Sequence, residues 1–144
     1  MHILVIGAAG MIGRKLVDRL LAERKLGGKA ISKLSLQDVV APAEPREKPF
    51  EISTRTGDLS VPGEAAALVA DNPDVIFHLA AIVSGEAETD FEKGYRINLD
   101  GTRFLYDAIR TRAYLPRIVF TSSAAVYGAP FDGAIHLIDG GFAI

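Results

Sequence analysis

The feature that most constrains the fold is an apolar segment followed at once by regularly spaced glycines. The segment "HILVI" covers residues 2–6, and "GAAGMIG" then places glycines at positions 7, 10 and 13. A continuous apolar strand is typical of the centre of a parallel sheet, where both faces are buried. Because helical spacing of apolar residues follows the glycines, the pattern predicts a strand, a tight turn and a helix.

The rest of the chain alternates in the same way. Further strands are predicted in "KLSLQDVV", "FEISTRTGD", "DVIFHLAA" and "RIVFTSS". The first helix is predicted to end at Gly27 and Gly28. A short helix follows Pro62, a long helix covers about 87–112, and a proline-rich loop covers 41–49. We therefore predict an α/β fold with a doubly wound, Rossmann-like parallel sheet of strand order 3-2-1-4-5.

Composition excludes several classes of function. The 144 residues carry a net charge of −2 without a Lys/Arg-rich run, which argues against nucleic acid as a partner. Cysteine is absent, which excludes disulfides and fits a reducing, cytoplasmic compartment. No apolar run reaches the ~20 residues that a membrane helix needs. We also expect no signal peptide and no metal site, since neither a basic leader nor metal-ligand spacing is present.

The glycine loop has the features of a phosphate site. Gly7 would allow the tight turn, Gly10 the close approach of a pyrophosphate, and Gly13 the packing of helix on strand. The helix that begins at Met11 and Ile12 would offer free N–H groups and a partial positive charge. The alternative is a tight strand–helix turn without a ligand.

The spacing G-x-x-G-x-x-G resembles that of the extended short-chain dehydrogenase/reductase family, the NAD-dependent epimerases and dehydratases. The resemblance covers residues 1 to about 130, which we predict to be one NAD-binding domain. Within the family, "AIVSGEAETD" and "LQDVVAP" are similar to the D-erythronate dehydrogenase group. Residues 131–144 form a tail of unclear origin, and the expected C-terminal part of the family fold is missing.

Asp38 ends the second strand, 25 residues after Gly13. An acid at this distance would accept hydrogen bonds from the ribose hydroxyls. Since a carboxylate repels a 2′-phosphate, we expect NAD rather than NADP. The alternative is a turn residue before the proline-rich loop.

The resemblance implies further contacts with the cofactor. In "GDL", Asp58 would accept from the adenine amino group and Leu59 would pack on the ring. Gly-Asp is also an ordinary turn dipeptide, which is the alternative interpretation. In "HLAA", Leu79, Ala80 and Ala81 would pass beside the ribose.

Two polar residues have a structural alternative. His78 lies inside an apolar strand, so we expect it to be structural rather than catalytic. Asn98, in "YRINLDGTRFLYDA", matches a family asparagine that helps to order the active site. The alternative for Asn98 is a structural amide with satisfied hydrogen bonds.

The stretch "TSSAAVYG" resembles one wall of the family's active site. Thr121 and Ser122 would lie near the nicotinamide, and Ser123 would orient the substrate oxygen. Hydride transfer from an alcohol also needs a base, which in this family is the tyrosine of Y-x-x-x-K. No tyrosine of this sequence has a lysine four residues on, and no lysine follows Lys93. We interpret Tyr127 as a packing residue.

These observations predict an NAD-dependent epimerase, dehydratase or sugar-acid dehydrogenase lineage with a small sugar or sugar-acid substrate. Without the Tyr–Lys pair, we expect the chain as given to lack full catalysis. The alternative is a non-catalytic NAD-binding module or an inactive fragment. We also expect a homo-oligomer, because one face of the helix at 92–112 would expose apolar side chains.

Overall fold

The computed structural model describes residues 1–123. In chain order its elements are β1 (His2–Ile6), α1 (Met11–Glu23), β2 (Lys25–Leu26), β3 (Lys29–Ala30), β4 (Lys33–Asp38), β5 (Glu51–Thr56), α2 (Glu64–Leu68), β6 (Val75–His78), α3 (Ser84–Thr89), α4 (Phe91–Tyr95), a π-helical turn (Arg96–Gly101), α5 (Thr102–Arg112) and β7 (Arg117–Phe120).

Five of the strands form one parallel sheet in the order β5-β4-β1-β6-β7. This confirms the predicted order 3-2-1-4-5. The register pairs Leu4 of β1 with Ser35 on one side and with Ile76 on the other. Because every strand runs the same way, the carboxyl ends of all five meet at one edge of the sheet, where ligands bind in open α/β folds.

The central strand β1 supplies the core on both faces of the sheet. Ile3 and Val5 are buried in the layer that includes α1, whereas Leu4 and Ile6 are buried in the layer that includes α2 and α5. Burial on both faces explains why "HILVI" shows no polar alternation. The apolar side chains of β1 therefore hold the helices in place on either side of the strand that leads into the glycine loop.

The predicted role of Gly27 and Gly28 was wrong. Helix α1 ends at Glu23, and Arg24 takes the left-handed conformation at φ 55°. The two glycines instead form the turn of a short antiparallel hairpin between β2 and β3, with φ values of 56° and 79°. A two-residue hairpin turn of this kind needs positive φ at both central positions, which glycine adopts without strain.

The single long helix predicted over 87–112 was also wrong in part. The chain breaks between α3 and α4 at Asp90, which has φ −130° and ψ 81° and accepts a hydrogen bond from the Lys93 N–H. A π-helical turn then separates α4 from α5. π-Helical turns are rare in proteins, and those that do occur are often found at functional sites.

Several apolar side chains of the helices are exposed. Met11 and Ile12 in the first turn of α1 are exposed, and the buried face of this helix is formed by Gly13, Val17 and Leu20. On the last helical segments, the exposed large apolar residues include Tyr95, Leu99 and Tyr106. Among the described residues, no helix is long and apolar enough to cross a membrane. The predicted domain boundary at 130 and the tail lie outside the described residues.

Candidate cofactor site

A cavity of about 430 Å³ opens at the carboxyl edge of the sheet. Its walls come from the glycine loop, the ends of β4 and β6, the turn after β5, and the helices α3, α4 and the π-helical turn. The lining residues are Gly7, Ala9, Gly10, Gln37, Asp38, Val39, Val40, Asp58, Leu59, His78, Leu79, Ala80, Ala81, Ile82, Glu86, Lys93 and Ile97.

Two glycines of the loop are required by the fold itself. Gly7 has φ +89°, and a Cβ there would lie 2.7 Å from the backbone nitrogen of Ala80. A Cβ on Gly13 would lie 2.1 Å from the carbonyl oxygen of Gly7. Both distances are impossible for real atoms, so only glycine lets the loop pass between α1 and β6.

Gly10 is different, because the protein leaves room beside it. It has φ −68°, and a Cβ there would approach the Gly7 carbonyl oxygen only to 3.4 Å, which is ordinary contact. Gly10 lines the cavity and precedes the first turn of α1 at Met11 and Ile12, where no side chain caps the free N–H groups. The space that a Cβ would fill is therefore open toward the cavity, and the loop fits a pyrophosphate at this helix N-terminus.

Asp38 is held against the glycine loop by its own carboxylate. Oδ2 accepts a hydrogen bond of 2.8 Å from the Ala9 N–H, and Oδ1 accepts one of 3.3 Å from the Val40 N–H. The carboxylate is half-buried and lines the cavity beside the exposed side chains of Val39 and Val40. An acceptor pair fixed in this way suits the two hydroxyls of a ribose.

Asp58 lies in the turn after β5 and makes three hydrogen bonds. Its Oδ1 accepts from Ser60 N at 2.9 Å and from Ser60 Oγ at 2.6 Å. Its Oδ2 accepts from Arg96 Nη1 at 3.0 Å. Partial burial raises the pKa of Asp58, but the hydrogen bonds from Ser60 and the charge of Arg96 outweigh it, so the pKa lies below the usual value.

The remaining apolar residues line the cavity to different extents. Leu59 is only 6% exposed and packs mainly in the core under α2 and α5. Leu79, Ala80 and Ala81 follow β6 and line the cavity. These four residues are thus placed at one cavity, and their contacts with a cofactor remain predictions.

Asn98 of the π-helical turn is bonded to the backbone of the segment after β6. Its Nδ2 donates to the Ile82 carbonyl at 2.9 Å, and its Oδ1 accepts from the Ile82 N–H at 2.8 Å. Both ends of the amide are therefore used within the protein. The geometry is that of a structural amide that orders a wall of the cavity, whereas Asn98 itself does not line the cavity.

His78 has a structural environment. It is 1% exposed in β6, and its ring lies edge-on to Phe120 with 5.3 Å between centroids. Nε2 is 2.9 Å from Thr102 Oγ1, whose hydroxyl donates to the Asn98 carbonyl at 2.8 Å. Since that hydroxyl uses its proton on Asn98, His78 must donate from Nε2, which leaves Nδ1 as an unprotonated acceptor. Burial lowers the pKa of His78 to about 4.

Thr121, Ser122 and Ser123 follow β7 and are exposed. The Thr121 N–H and hydroxyl both approach the His78 carbonyl oxygen at 3.3 Å. The strand end is thus placed beside the end of β6, but none of the three residues lines the described cavity. Tyr127 lies outside the described residues.

Sequence reasoning missed several residues that hold the walls of the cavity in place. Ser60 and Arg96 hold Asp58, Glu86 and Lys93 form an ion pair of 2.6 Å at the cavity wall, and Gln37 donates to the Gly57 carbonyl. An aspartate side chain in a turn often accepts from the backbone N–H two residues further on, and this pattern could have indicated the bond from the Ser60 N–H to Asp58. The other contacts depend on tertiary placement and leave no local signal. His2 Nε2 lies 2.8 Å from Ser35 Oγ, away from the cavity.

A family model described as the NAD dependent epimerase/dehydratase family matches residues 3–137. The chain belongs to this family. No group of three or more His, Cys, Asp or Glu side chains in residues 1–123 is arranged to hold a metal ion.

Individual relatives agree with the family. D-erythronate dehydrogenase of Cupriavidus necator is 44% identical over 94% of this chain and 43% of its own length. The crystal structure of the nucleoside-diphosphate-sugar epimerase from Agrobacterium tumefaciens is 61% identical, with a TM-score of 0.87 over 90% of this chain and 39% of that one. UDP-glucose 4-epimerase from Brucella ovis in complex with NAD is 29% identical, with a TM-score of 0.67 over 89% of this chain and 37% of that one.

The chain spans about two fifths of the length of these relatives. The described part corresponds to the parallel sheet with its flanking helices, and it carries the cavity at the carboxyl edge.

Proposed function

We propose that the cavity binds NAD. The observation that carries the proposal is the order of chemical groups along the carboxyl edge of the sheet. From β1 outward, the edge presents a helix N-terminus with an open cradle at Gly10, then the fixed carboxylate of Asp38, then that of Asp58. A dinucleotide carries a pyrophosphate, a ribose diol and a base in the same order.

The residues that would hold NAD follow from this order. Gly7, Gly10 and the first turn of α1 at Met11–Gly13 would contact the pyrophosphate, and Asp38 the adenosine ribose. Asp58 and Leu59 would meet the adenine, and the small residues after β6 would pass beside the nicotinamide ribose. NAD, when bound, supplies the hydride acceptor for oxidation of an alcohol carbon.

Selectivity for NAD over NADP would come from Asp38. The carboxylate is held by the Ala9 N–H, and a 2′-phosphate on the ribose would bring like charges together. In residues 38–41, the sequence "DVVA" offers no Lys or Arg to a phosphate.

We infer that the lineage is that of a sugar or sugar-acid oxidoreductase or epimerase, with D-erythronate as the first substrate to test. Support comes from the D-erythronate dehydrogenase and sugar-nucleotide epimerase relatives. Ser123 would orient the substrate oxygen. The 144 residues contain no Y-x-x-x-K, so we expect the chain as given to bind NAD without turnover.

The experiment is a calorimetric titration with NAD and with NADP, followed by assays with D-erythronate and with UDP-sugars. We expect NAD to bind at least about tenfold more tightly than NADP, and Asp38→Ser to reduce that ratio. Gly10→Val, whose side chain would fill the cradle, is the non-binding control. Binding of neither nucleotide by the wild-type chain would reject the proposal, and turnover would reject the argument from the missing Tyr–Lys pair.

The exposed apolar side chains of Tyr95, Leu99 and Tyr106 favour self-association through the last helical segments. We therefore propose a homo-oligomer. Light scattering of the wild type and of Leu99→Glu tests this, and a monomeric mass for the wild type at high concentration would count against it.

A further inference from the structure

Asp58, Ser60 and Arg96 form a closed ring of hydrogen bonds at the outer end of the cavity. One atom of Arg96, Nη1, donates both to Asp58 Oδ2 at 3.0 Å and to Ser60 Oγ at 2.8 Å. The Ser60 hydroxyl accepts from Arg96 and donates to Asp58 Oδ1, and the Ser60 N–H donates to the same oxygen. The Asp58 carboxylate is thus held on Oδ1 by Ser60 of the same turn and on Oδ2 by Arg96, which lies 38 residues further along the chain.

The ring leaves limited acceptor capacity on the carboxylate. An ionised carboxylate has about four acceptor positions. Two positions on Oδ1 are taken by Ser60 and one on Oδ2 is taken by Arg96. Oδ2 therefore keeps one position, and a ligand can use it only by donating a hydrogen.

The surroundings of Asp58 suit a flat aromatic ligand. Val39 and Val40 line the same cavity with exposed side chains, and Leu59 lies directly beside Asp58 in the chain. An apolar wall with a single fixed acceptor at its end matches a purine whose six-position carries an amino group. A six-position carbonyl would instead point an acceptor at an acceptor.

We propose that Arg96, together with Ser60, is a positioning residue that fixes Asp58 for the recognition of a 6-amino purine over a 6-oxo purine. Arg96 acts through Asp58 and does not itself touch the base. The proposal rests on the proposed binding of NAD, and it adds the residue that determines base selectivity. Because the guanidinium reaches both partners through one nitrogen, a lysine ammonium can replace it in part.

The test compares the dissociation constants of NAD and of nicotinamide hypoxanthine dinucleotide, its 6-oxo analogue, by calorimetry. The wild-type chain should prefer NAD by about tenfold or more, as expected for a lost hydrogen bond and a repulsive contact. Arg96→Met should reduce that ratio about fivefold, and Ser60→Ala should reduce it less. Arg96→Lys should lower the ratio less than Arg96→Met does, because the ammonium replaces the guanidinium in part.

The matched control is Arg110→Met, which removes the same charge from an exposed pair with Asp107 on α5. It should leave the ratio unchanged. In a chain that carries Asp58→Asn, the further change Arg96→Met should have no effect on the ratio, because its action passes through Asp58. Thermal unfolding of every variant separates a loss of selectivity from a loss of fold.

Three results would overturn the inference. Arg96→Met could weaken both dinucleotides equally, which would indicate a direct or general structural role. Alternatively, the ratio could fall as much in the Asp58→Asn background as in the wild type. Finally, a wild-type chain that binds NAD without preferring it would show that Asp58 does not recognise the base. Binding of neither dinucleotide would instead reject the proposed function, and this inference with it.

Discussion

The two walls of the cavity are built in different ways. The strand-end wall, formed by the glycine loop and the ends of β4 and β5, is fixed by backbone geometry and close packing. The helical wall, from α3 to α5, is fixed by side-chain hydrogen bonds from Arg96, Asn98 and Thr102. We expect substitutions in the strand-end wall to destabilise the protein through steric clash. Substitutions in the helical wall should do so through the loss of particular hydrogen bonds.

The largest effect should come from the strand-end wall. In Gly13→Ala, the new Cβ would lie 2.1 Å from the Gly7 carbonyl oxygen, so α1 must move away from β1. We expect the free energy of unfolding to fall by about 3 kcal/mol or more, measured by urea denaturation. Gly10→Ala is the matched control, because its Cβ at 3.4 Å is tolerated. Equal losses for the two variants would contradict the different roles assigned to these glycines.

The next largest effect on the free energy of unfolding should come from the titration of His78, which lies where the two walls meet. Its pKa is lowered by burial from 6.5 to about 4, so the unfolded chain binds the proton more readily. Stability is therefore fully present above about pH 6.5 and is lost as the pH falls toward 4. Between pH 7 and 4.5 this residue should account for about 2 kcal/mol of the lost free energy of unfolding.

His78→Gln keeps a donor for Thr102 but cannot titrate. Urea denaturation at both pH values should show a smaller acid loss for this variant than for the wild type. An identical acid loss in the two proteins would mean that His78 is protonated in the folded state.

A smaller effect should follow from the helical wall. Asn98→Ala removes the two bonds to the Ile82 backbone, and we expect a loss of about 1 kcal/mol. The change should be local, so amide exchange of Ile82 should speed up far more than exchange of Leu4 in the central strand. Uniform acceleration along the chain would show that Asn98 supports the whole fold rather than one wall.

The smallest effect should come from the ion pair between Lys93 and Glu86. Both side chains are partly exposed, and the pair should contribute little in water. Lys93→Met should leave the melting temperature unchanged within error. A clear drop that disappears at high salt would show that charge pairing, and not hydrogen bonding alone, holds the helical wall.

The difference between the walls also explains what the sequence could predict. The order of the strands, the glycine spacing and the position of Asp38 follow from local patterns of apolar residues, glycines and turn residues. The contact between Arg96 and Asp58 spans 38 residues, and that between Thr102 and His78 spans 24. No local pattern specifies such a contact, because it depends on how the helices are placed on the sheet.

Two local patterns were also ambiguous. Glycines after a helix serve equally well to end it or to form a hairpin turn, and Gly27 and Gly28 do the second. The residues from Ala87 to Arg112 have helical spacing throughout, and that spacing does not reveal the break at Asp90 or the π-helical turn.

The hairpin at Gly27 and Gly28 has a practical consequence for measuring ligand binding. It leads into the amino end of β4, whereas the cavity lies at the carboxyl end of the same strand. A Cβ added at either glycine would have no atom within 4 Å. A short peptide tag inserted between these two residues would project into solvent. The chain could then be immobilised through the tag and titrated with a ligand while the cavity stays accessible.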